Sequence, residues 1–385
     1  MGGSVAGTGG GAGGANPGGG TAGSGGSAGP SAGGTSGGNG DPAPAQCQSV
    51  PAPGATWAEM PPAPAEVAGM QVTDAWPAGA DDIFFAGNFP DPINGLQGFA
   101  VLHWTAGCWT TELIQKQVAA PGAPQIAGTA TDDVWLTVGD AIFHRDAQAW
   151  TQLDDSWRAT ITEIAFYGPP VLTDVQPRTR DEVWFATRYA MLRWTGGQWQ
   201  SWELAAGPPL QSASITWFFN RVWVQGANDI WAGGGSDEIG NTMDPAAMVH
   251  FDGNSWTIHN VGAFGVNALW PAGPPNQFWL AMDSDAVEPR TIRFFDGSNR
   301  AMAVDIAGFP PSITQTSLWG RSPSDVWAAG ADVAHFDGAA WSHVDGTPDA
   351  VRDVNHTNRD SVVTGDATAT WLAGAGPSFF RKAAP

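Results

Sequence analysis

One short phrase returns seven times along this chain. Self-similarity at a fixed period constrains the fold more than any local propensity, because each copy must be one small unit packed against the next. Asp325-Val326-Trp327-Ala328-Ala329-Gly330 followed by His335-Phe336-Asp337-Gly338-Ala339-Ala340-Trp341 is the cleanest copy. The residue two places after the acid (Phe84, Trp135, Trp184, Trp231, Trp279, Trp327 and Val362) serves as a ruler, with gaps of 51, 49, 47, 48, 48 and 35. Eight residues before most rulers another β-run ends, at Trp76, Ala127, Gln176, Trp223, Trp319 and Val354, and turn-forming residues lie between. That is a hairpin, strands a and b. A third run follows (Leu102-His103-Trp104, Phe143-His144-Arg145, Val249-His250-Phe251, Ala334-His335-Phe336), and a fourth opens at Trp109, Trp150, Trp199, Trp256 and Trp341. Asp252-Gly253, Asp296-Gly297 and Asp337-Gly338 supply the tight turns between strands c and d.

Four short antiparallel strands in about 48 residues, with no helical period, make a propeller blade. A lone blade exposes both faces. Seven around an axis bury each face on its neighbour, and burial of each large aromatic ring contributes about 2–3 kcal/mol. The 21 tryptophans are therefore read as packing. The expected fold is all-β: a seven-bladed β-propeller of four-stranded antiparallel blades over residues 55–385. In the last copy, 351–354 and 361–365 read as strands a and b, and 369–372 as strand c. Its strand d is either Ser378–Lys382 or Trp57–Met60; the latter is favoured, since an N-terminal strand completing the C-terminal blade closes the ring and removes exposed edges.

Residues 1–54 read as a disordered Gly/Ser/Ala/Pro-rich tether, because the first 46 hold 20 glycines and one charge, Asp41, and bury too little to offset their ordering entropy. The net charge of −21 thus belongs almost wholly to the propeller, which carries two lysines, Lys116 and Lys382. This argues against nucleic acid or an anionic membrane surface as partner and is compatible with a cationic ligand or divalent cations. No run of about 18 apolar residues would span a bilayer. Cys47 and Cys108 are the only cysteines; they are either paired or both free, and a pair suits an exported protein. The given sequence opens without a leader, and the expectation is an export signal upstream of it.

These repeats resemble those of exported β-propeller proteins of soil bacteria, with DVWAxG and HxDGxxW phrases behind a Gly/Ser-rich, often lipoprotein-type, N-terminus; the likeness runs from about Thr56 to Arg381. It implies a propeller and an extracytoplasmic, secreted or surface-attached address. The D-G-x-x-W turn is similar to the Asp-box of sialidase-like propellers. The chain departs from that pattern in lacking the preceding Ser-x and an Arg-Ile-Pro segment, and it has only two tyrosines, Tyr167 and Tyr189.

His103, His144, His250 and His335 share one repeat column, which predicts the same structural slot in separate blades, not a shared metal site. Asp82, Asp133, Glu182, Asp229, Asp325 and Asp360 recur before strand b and are expected to accept backbone N–H groups in the a–b turn. Function is sought where the repeat breaks. Insertions at 88–98, 233–247 and 282–290 (b–c) and at 154–173 and 205–220 (d–a) fall on one face by strand parity. Their candidate binding residues are Phe89, Asp91, Trp157, Arg158, Tyr167, Trp217, Asp237, Glu238, Asp283 and Asp285. Aromatics beside carboxylates suit sugar rings; alternatively the aromatics cap the ring and the acids are solvated. Asp283, Asp285 and Glu288 form a calcium candidate without the EF-hand pattern. No catalytic motif stands out. The functional expectation is a monomeric recognition module for a glycan or an extracellular protein, with no cofactor; a polysaccharide hydrolase or lyase using loop carboxylates, or an assembly module, are the alternatives.

Overall fold

The computed structural model describes residues 46–47, 54, 56–90, 96–118, 122–147, 149–161, 170–204, 216–237, 245–263, 265–282, 292–298, 301–304, 306–307, 315–351, 361–374 and 378–384. These build the expected seven-bladed β-propeller. Blades 1 to 6 occupy 71–118, 125–152, 172–203, 216–263, 266–303 and 315–343, each an antiparallel meander of strands a, b, c and d. The a strands are Gln71–Gly79, Gln125–Ala130, Leu172–Thr179, Thr216–Gly226, Val266–Pro271, Gln315–Ser322 and, in blade 7, Val362–Gly365. Each a strand touches the next around the axis, and the last touches the first, so the ring closes.

The b strands show why aromatic and β-branched residues dominate. In blade 2, strand b is Asp133–Val138, and every residue on both of its faces is buried because a blade lies on either side. Trp104, Trp109, Trp135, Trp184, Trp231, Trp341 and Trp371 are fully buried. Tryptophans on the a strands press against the following blade at glycines that leave room for them. A methyl on Gly128 or Gly365 would sit 2.7 Å from the Trp76 or Trp319 ring. The Asp-Gly turns also behave as read: Gly253, Gly297 and Gly338 have φ near +90° (95°, 88° and 92°), where a side chain is disfavoured. Asp252 and Asp337 each accept two backbone N–H groups across their turns, and Asp296 accepts one.

Blade 7 corrects the reading of the last copy by one strand. Val362–Gly365 is its strand a, Ala369–Ala373 its strand b, Phe379–Ala383 its strand c, and Ala58–Glu59 its strand d. Both candidate closing segments are used, side by side: Ala58 pairs with Arg381 and Glu59 with Phe380. The ruler of blade 7 is therefore Trp371, opposite Thr364, and not Val362. Val351 is buried in a turn and 352–360 lie outside the described residues. Lys382 fastens this clasp, its ammonium 5.7 Å from the rings of both Trp57 and Trp327.

Two further strands cover outer edges. Gln46–Cys47 pairs with strand d of blade 1, and Ile306–Ala307 runs parallel to strand d of blade 6. Cys47 faces Cys108 in that register, and the two form a disulfide. The segment entering the propeller is thus tied covalently to blade 1 before it supplies the closing strand of blade 7. No helix among the described residues is long and apolar enough to cross a membrane.

Candidate functional site

The recurrent acids have a different task from the one expected. Residues i and i+2 of a strand share a face, so the acid and the aromatic two places later lie side by side, and a base on strand c sits opposite the aromatic. His103, His144, Arg193, His250 and His335 are the cross-strand partners of Phe84, Trp135, Trp184, Trp231 and Trp327. Each base bonds the acid of its own blade: His Nε2 lies 2.6, 2.8, 2.9 and 2.8 Å from the Oδ1 of Asp82, Asp133, Asp229 and Asp325, and Arg193 Nη2 lies 2.9 Å from Glu182 Oε1. The four indoles donate Nε1–H to the same acid at 3.0–3.2 Å. Each imidazole also stacks on its aromatic ring, with centroids 3.9–4.2 Å apart. The turn role assigned to these acids is replaced by a side-chain triad; Asp360 lies outside the described residues. The histidines do occupy one slot per blade, each engaged with its own acid.

Burial raises the proton affinity of Asp325 and Glu182, but hydrogen bonds and charges from His335 and Arg321, and from Arg178, Trp184 and Arg193, outweigh it and hold both below the usual carboxylate range. In the triads the charges are answered. Where the acid is missing the indole is orphaned: blades 5 and 7 carry Gln277 and Ala369 at that position, and Nε1 of Trp279 and of Trp371 has no partner among the described residues.

The loop candidates fare unevenly. Phe89 is 3% exposed and packs with Val67, Met70 and Val72. Trp157 is 1% exposed, set in a short 3-10 turn (Asp155–Thr160) against Ile161, Leu172 and Ala190. Neither is a stacking platform, which needs a free ring face; both went to the core because a large ring gains more from burial than from water. Arg158 covers the Trp157 ring and pairs with Asp140 at 2.5 Å. Trp217 and Asp237 lie on strands a and b of blade 4, with their side chains outside the description. Asp91, Tyr167, Glu238, Asp283, Asp285 and Glu288 lie outside the described residues, the calcium candidate included.

The site that the repeat reading missed is the axial channel. It is a cavity of about 810 Å³ lined by all seven a strands. Each a strand starts at the d–a loop, so its first residues lie at the long-loop end. The layer two residues before the a-strand ruler reads Asp74, Gln125, Asp174, Arg221, Ala268, Ser317 and Val362. Charged and amide groups thus crowd onto blades 1 to 4, while blades 5 to 7 present small or apolar ones. Among the described residues lining the channel, Asp74, Asp174 and Arg221 are the ionisable ones.

Edge geometry fixes two of them. An a strand leaves N–H groups unpaired toward the axis, and Asp74 and Asp174 accept those of Ile126 and Val222 on the next blade, both at 2.8 Å through Oδ2. Burial drives both carboxyls upward, Asp74 to about 6 and Asp174 to about 7, against the opposing pull of Arg221. Arg221 donates through Nη1 to Gln125 Oε1 at 2.9 Å and to the carbonyls of Asn220 and Thr173 at 3.0 and 3.5 Å. One residue earlier, Thr73 and Thr173 hydroxyls stitch to the Pro124 and Phe219 carbonyls of the following blade, both at 2.6 Å. The signal was present in the sequence: Thr-Asp precedes the a-strand ruler in blades 1 and 3, and Asn-Arg does so in blade 4.

No protein-family model matches the chain, and no curated protein sequence matches it. Solved structures do share its fold. A virginiamycin B lyase from Staphylococcus aureus aligns at 12% identity over 86% of this chain and 99% of its own, with a TM-score of 0.57. YCF48 from Cyanidioschyzon merolae aligns at 14% identity over 86% and 99%, TM-score 0.54, and a YCF48 bound to D1 peptide at 12% over 88% and 100%, TM-score 0.53. At these identities the likeness establishes the propeller alone.

Proposed function

We propose that this protein is an extracytoplasmic recognition module that takes a glycan or a protein segment at the long-loop end of its channel. One observation carries the reading: the ionisable residues of the channel are gathered in a single lopsided layer there. Repetition explains the triads; it does not explain why four adjacent blades carry Asp, Gln, Asp and Arg at one position while three do not. A concave site of several hundred Å³ with a few convergent polar groups is the usual form of a ligand pocket. The disulfide between Cys47 and Cys108 and the Gly-rich segment before it support an oxidising compartment.

A second reading rests on Asp74 and Asp174. They share one cavity, and with values of about 6 and about 7 one can be ionised while the other keeps its proton near neutral pH, the base and acid that polysaccharide cleavage requires. One experiment separates the two: the full chain is screened on glycan and peptide arrays and, in parallel, against polysaccharides with reducing-end and unsaturated-product assays. Recognition predicts retained ligand without turnover. Turnover that disappears in Asp174→Asn establishes the enzyme instead, and silence on every array overturns the recognition reading.

A further inference from the structure

Among the described residues, most arginines are answered by carboxylates. Arg145, Arg158, Arg178, Arg180, Arg193, Arg321 and Arg381 each lie within ion-pair distance of an Asp or Glu. Arg221 does not: among the described residues it has no such pair, although it lines a cavity with Asp74 and Asp174 on neighbouring strands. Its contacts to described residues all use Nη1 and go to neutral oxygens. Nε and Nη2, the edge that matches a carboxylate with two parallel bonds, make no hydrogen bond to the described residues, although the charge of Arg221 still pulls on Asp74 and Asp174. Tethering one nitrogen to Gln125 and to two carbonyls fixes the plane of the fork and lowers the entropy lost on binding.

The surroundings define the rest of the ligand. Gln125 Nε2 donates to the Pro124 carbonyl, so the amide is held fixed against the channel wall. Thr316, also in the lining, has its Oγ1 buried with no partner among the described residues. Below this layer Trp76, Trp223, Trp270 and Trp319 line the channel. The overall charge of −21 repels long polyanions, so an acid bound through Arg221 is a short one.

Resting on the recognition reading above, we infer that Arg221 anchors the carboxylate of a sugar acid, a hexuronate or a short oligouronide, at the long-loop mouth of the channel. Asp74 and Asp174 are the other ionisable groups facing it from the strands that line the channel; the described lining residues of blades 2, 5, 6 and 7 are uncharged. Through mildly acidic pH the two carboxyls carry protons, hydrogen-bond the ligand and leave the arginine charge open. As pH rises past their raised values, about 6 and about 7, both ionise and repel the ligand. Binding therefore weakens between pH 5 and pH 8.

The test is calorimetric titration of the full, oxidised chain with glucuronate and digalacturonate, using glucose and the methyl ester of digalacturonate as uncharged controls. The expected result is binding of the acids and not the controls, weakened about 10- to 100-fold in Arg221→Gln, the scale of a charge-assisted hydrogen bond. Asp174→Asn, which retains an oxygen for the Val222 N–H, keeps the test informative even where Arg221→Gln folds poorly: it should tighten the acids several-fold at pH 8 and shrink the loss of affinity between pH 5 and pH 8, and a pH dependence equal to that of the unsubstituted chain would overturn the role given to the carboxyl. Neutral sugars binding as well as the acids, with Arg221→Gln indifferent, would overturn the inference and leave the recognition reading standing. Peptide binding with no response to either acid would overturn it too.

Discussion

The triads on strands b and c and the polar layer of the channel use the same few residue types to opposite ends. In the triads each acid meets a base at 2.6–2.9 Å and, in four blades, an indole N–H as well, so charge and hydrogen-bonding capacity are both satisfied. In the channel, Asp74 and Asp174 bond backbone N–H groups, and Arg221 bonds neutral oxygens. The first arrangement recurs because every blade needs it; the second occurs once because only one end of one channel needs it. A polar group in a repeat protein is therefore judged by whether its partners repeat with it.

The largest test of that distinction removes one triad member. Asp133 is fully buried and bonds both His144 and Trp135. Asp133→Gln should cost about 3 kcal/mol in denaturant unfolding, since it strands a half-buried base and a buried indole. Blade 5 carries Gln277 and Phe294 at the two positions, so the double change Asp133→Gln with His144→Phe should cost clearly less than the sum of the singles. Strict additivity would show that the triad is three neighbours and not a unit.

The channel acids should respond with the opposite sign. Asp174 holds its proton up to about pH 7 in the folded protein, while the unfolded chain releases it near 3.8, so its contribution to stability declines as pH rises from about 4 to about 7. Asp74 adds the same trend up to about pH 6. Glu182 and Asp325, held low, contribute stability that is lost only as pH falls through the acid range. Asp174→Asn should therefore stabilise the protein by about 1–2 kcal/mol at pH 8, within the ceiling of about 4 kcal/mol set by a rise from 3.8 to about 7, and by nothing at pH 4. A loss of stability at pH 8 would place Asp174 with the triads and remove the contrast.

These contrasts also explain what the sequence disclosed. The blade count and the aromatic ruler were legible because the phrase is written in nearly every blade, and the Asp-Gly turns because three copies share them. In blade 7 Ala369 stands where the acid belongs, so the phrase disappears around Trp371 while Asp360-Ser361-Val362 imitates its acid-x-β pattern one strand upstream. The N-terminal clasp was legible as an orphan strand; that Phe379–Ala383 lies between it and strand b was not, since nothing local distinguishes strand c from strand d. Phe89 and Trp157 were assigned to a binding face by loop position, but side-chain burial is set by the neighbour a residue meets, which one-dimensional order does not reveal. The channel layer was hidden for the complementary reason: Asp74, Asp174 and Arg221 sit inside a strands, each at a one-residue register shift that leaves the length of the copy unchanged, and attention to long insertions passes over them.

The smallest expected effect is a graft. Blade 5 has the ruler indole without the acid or the base, and Trp279 Nε1 lacks a partner among the described residues. Gln277→Asp together with Phe294→His would rebuild the triad there, since Phe294 already stands opposite Trp279. The gain should be modest, about 1 kcal/mol, because one new indole bond and one new ion pair must offset the Phe294 contacts with Trp279, whose centroids are 5.2 Å apart. The informative comparison is with Gln277→Asp alone, which supplies an acceptor for the indole but no base and should fall short of the pair. If the single change is as good as the double, the indole bond is the stabilising part of the triad, and the histidine column of the other blades is there for its stacking.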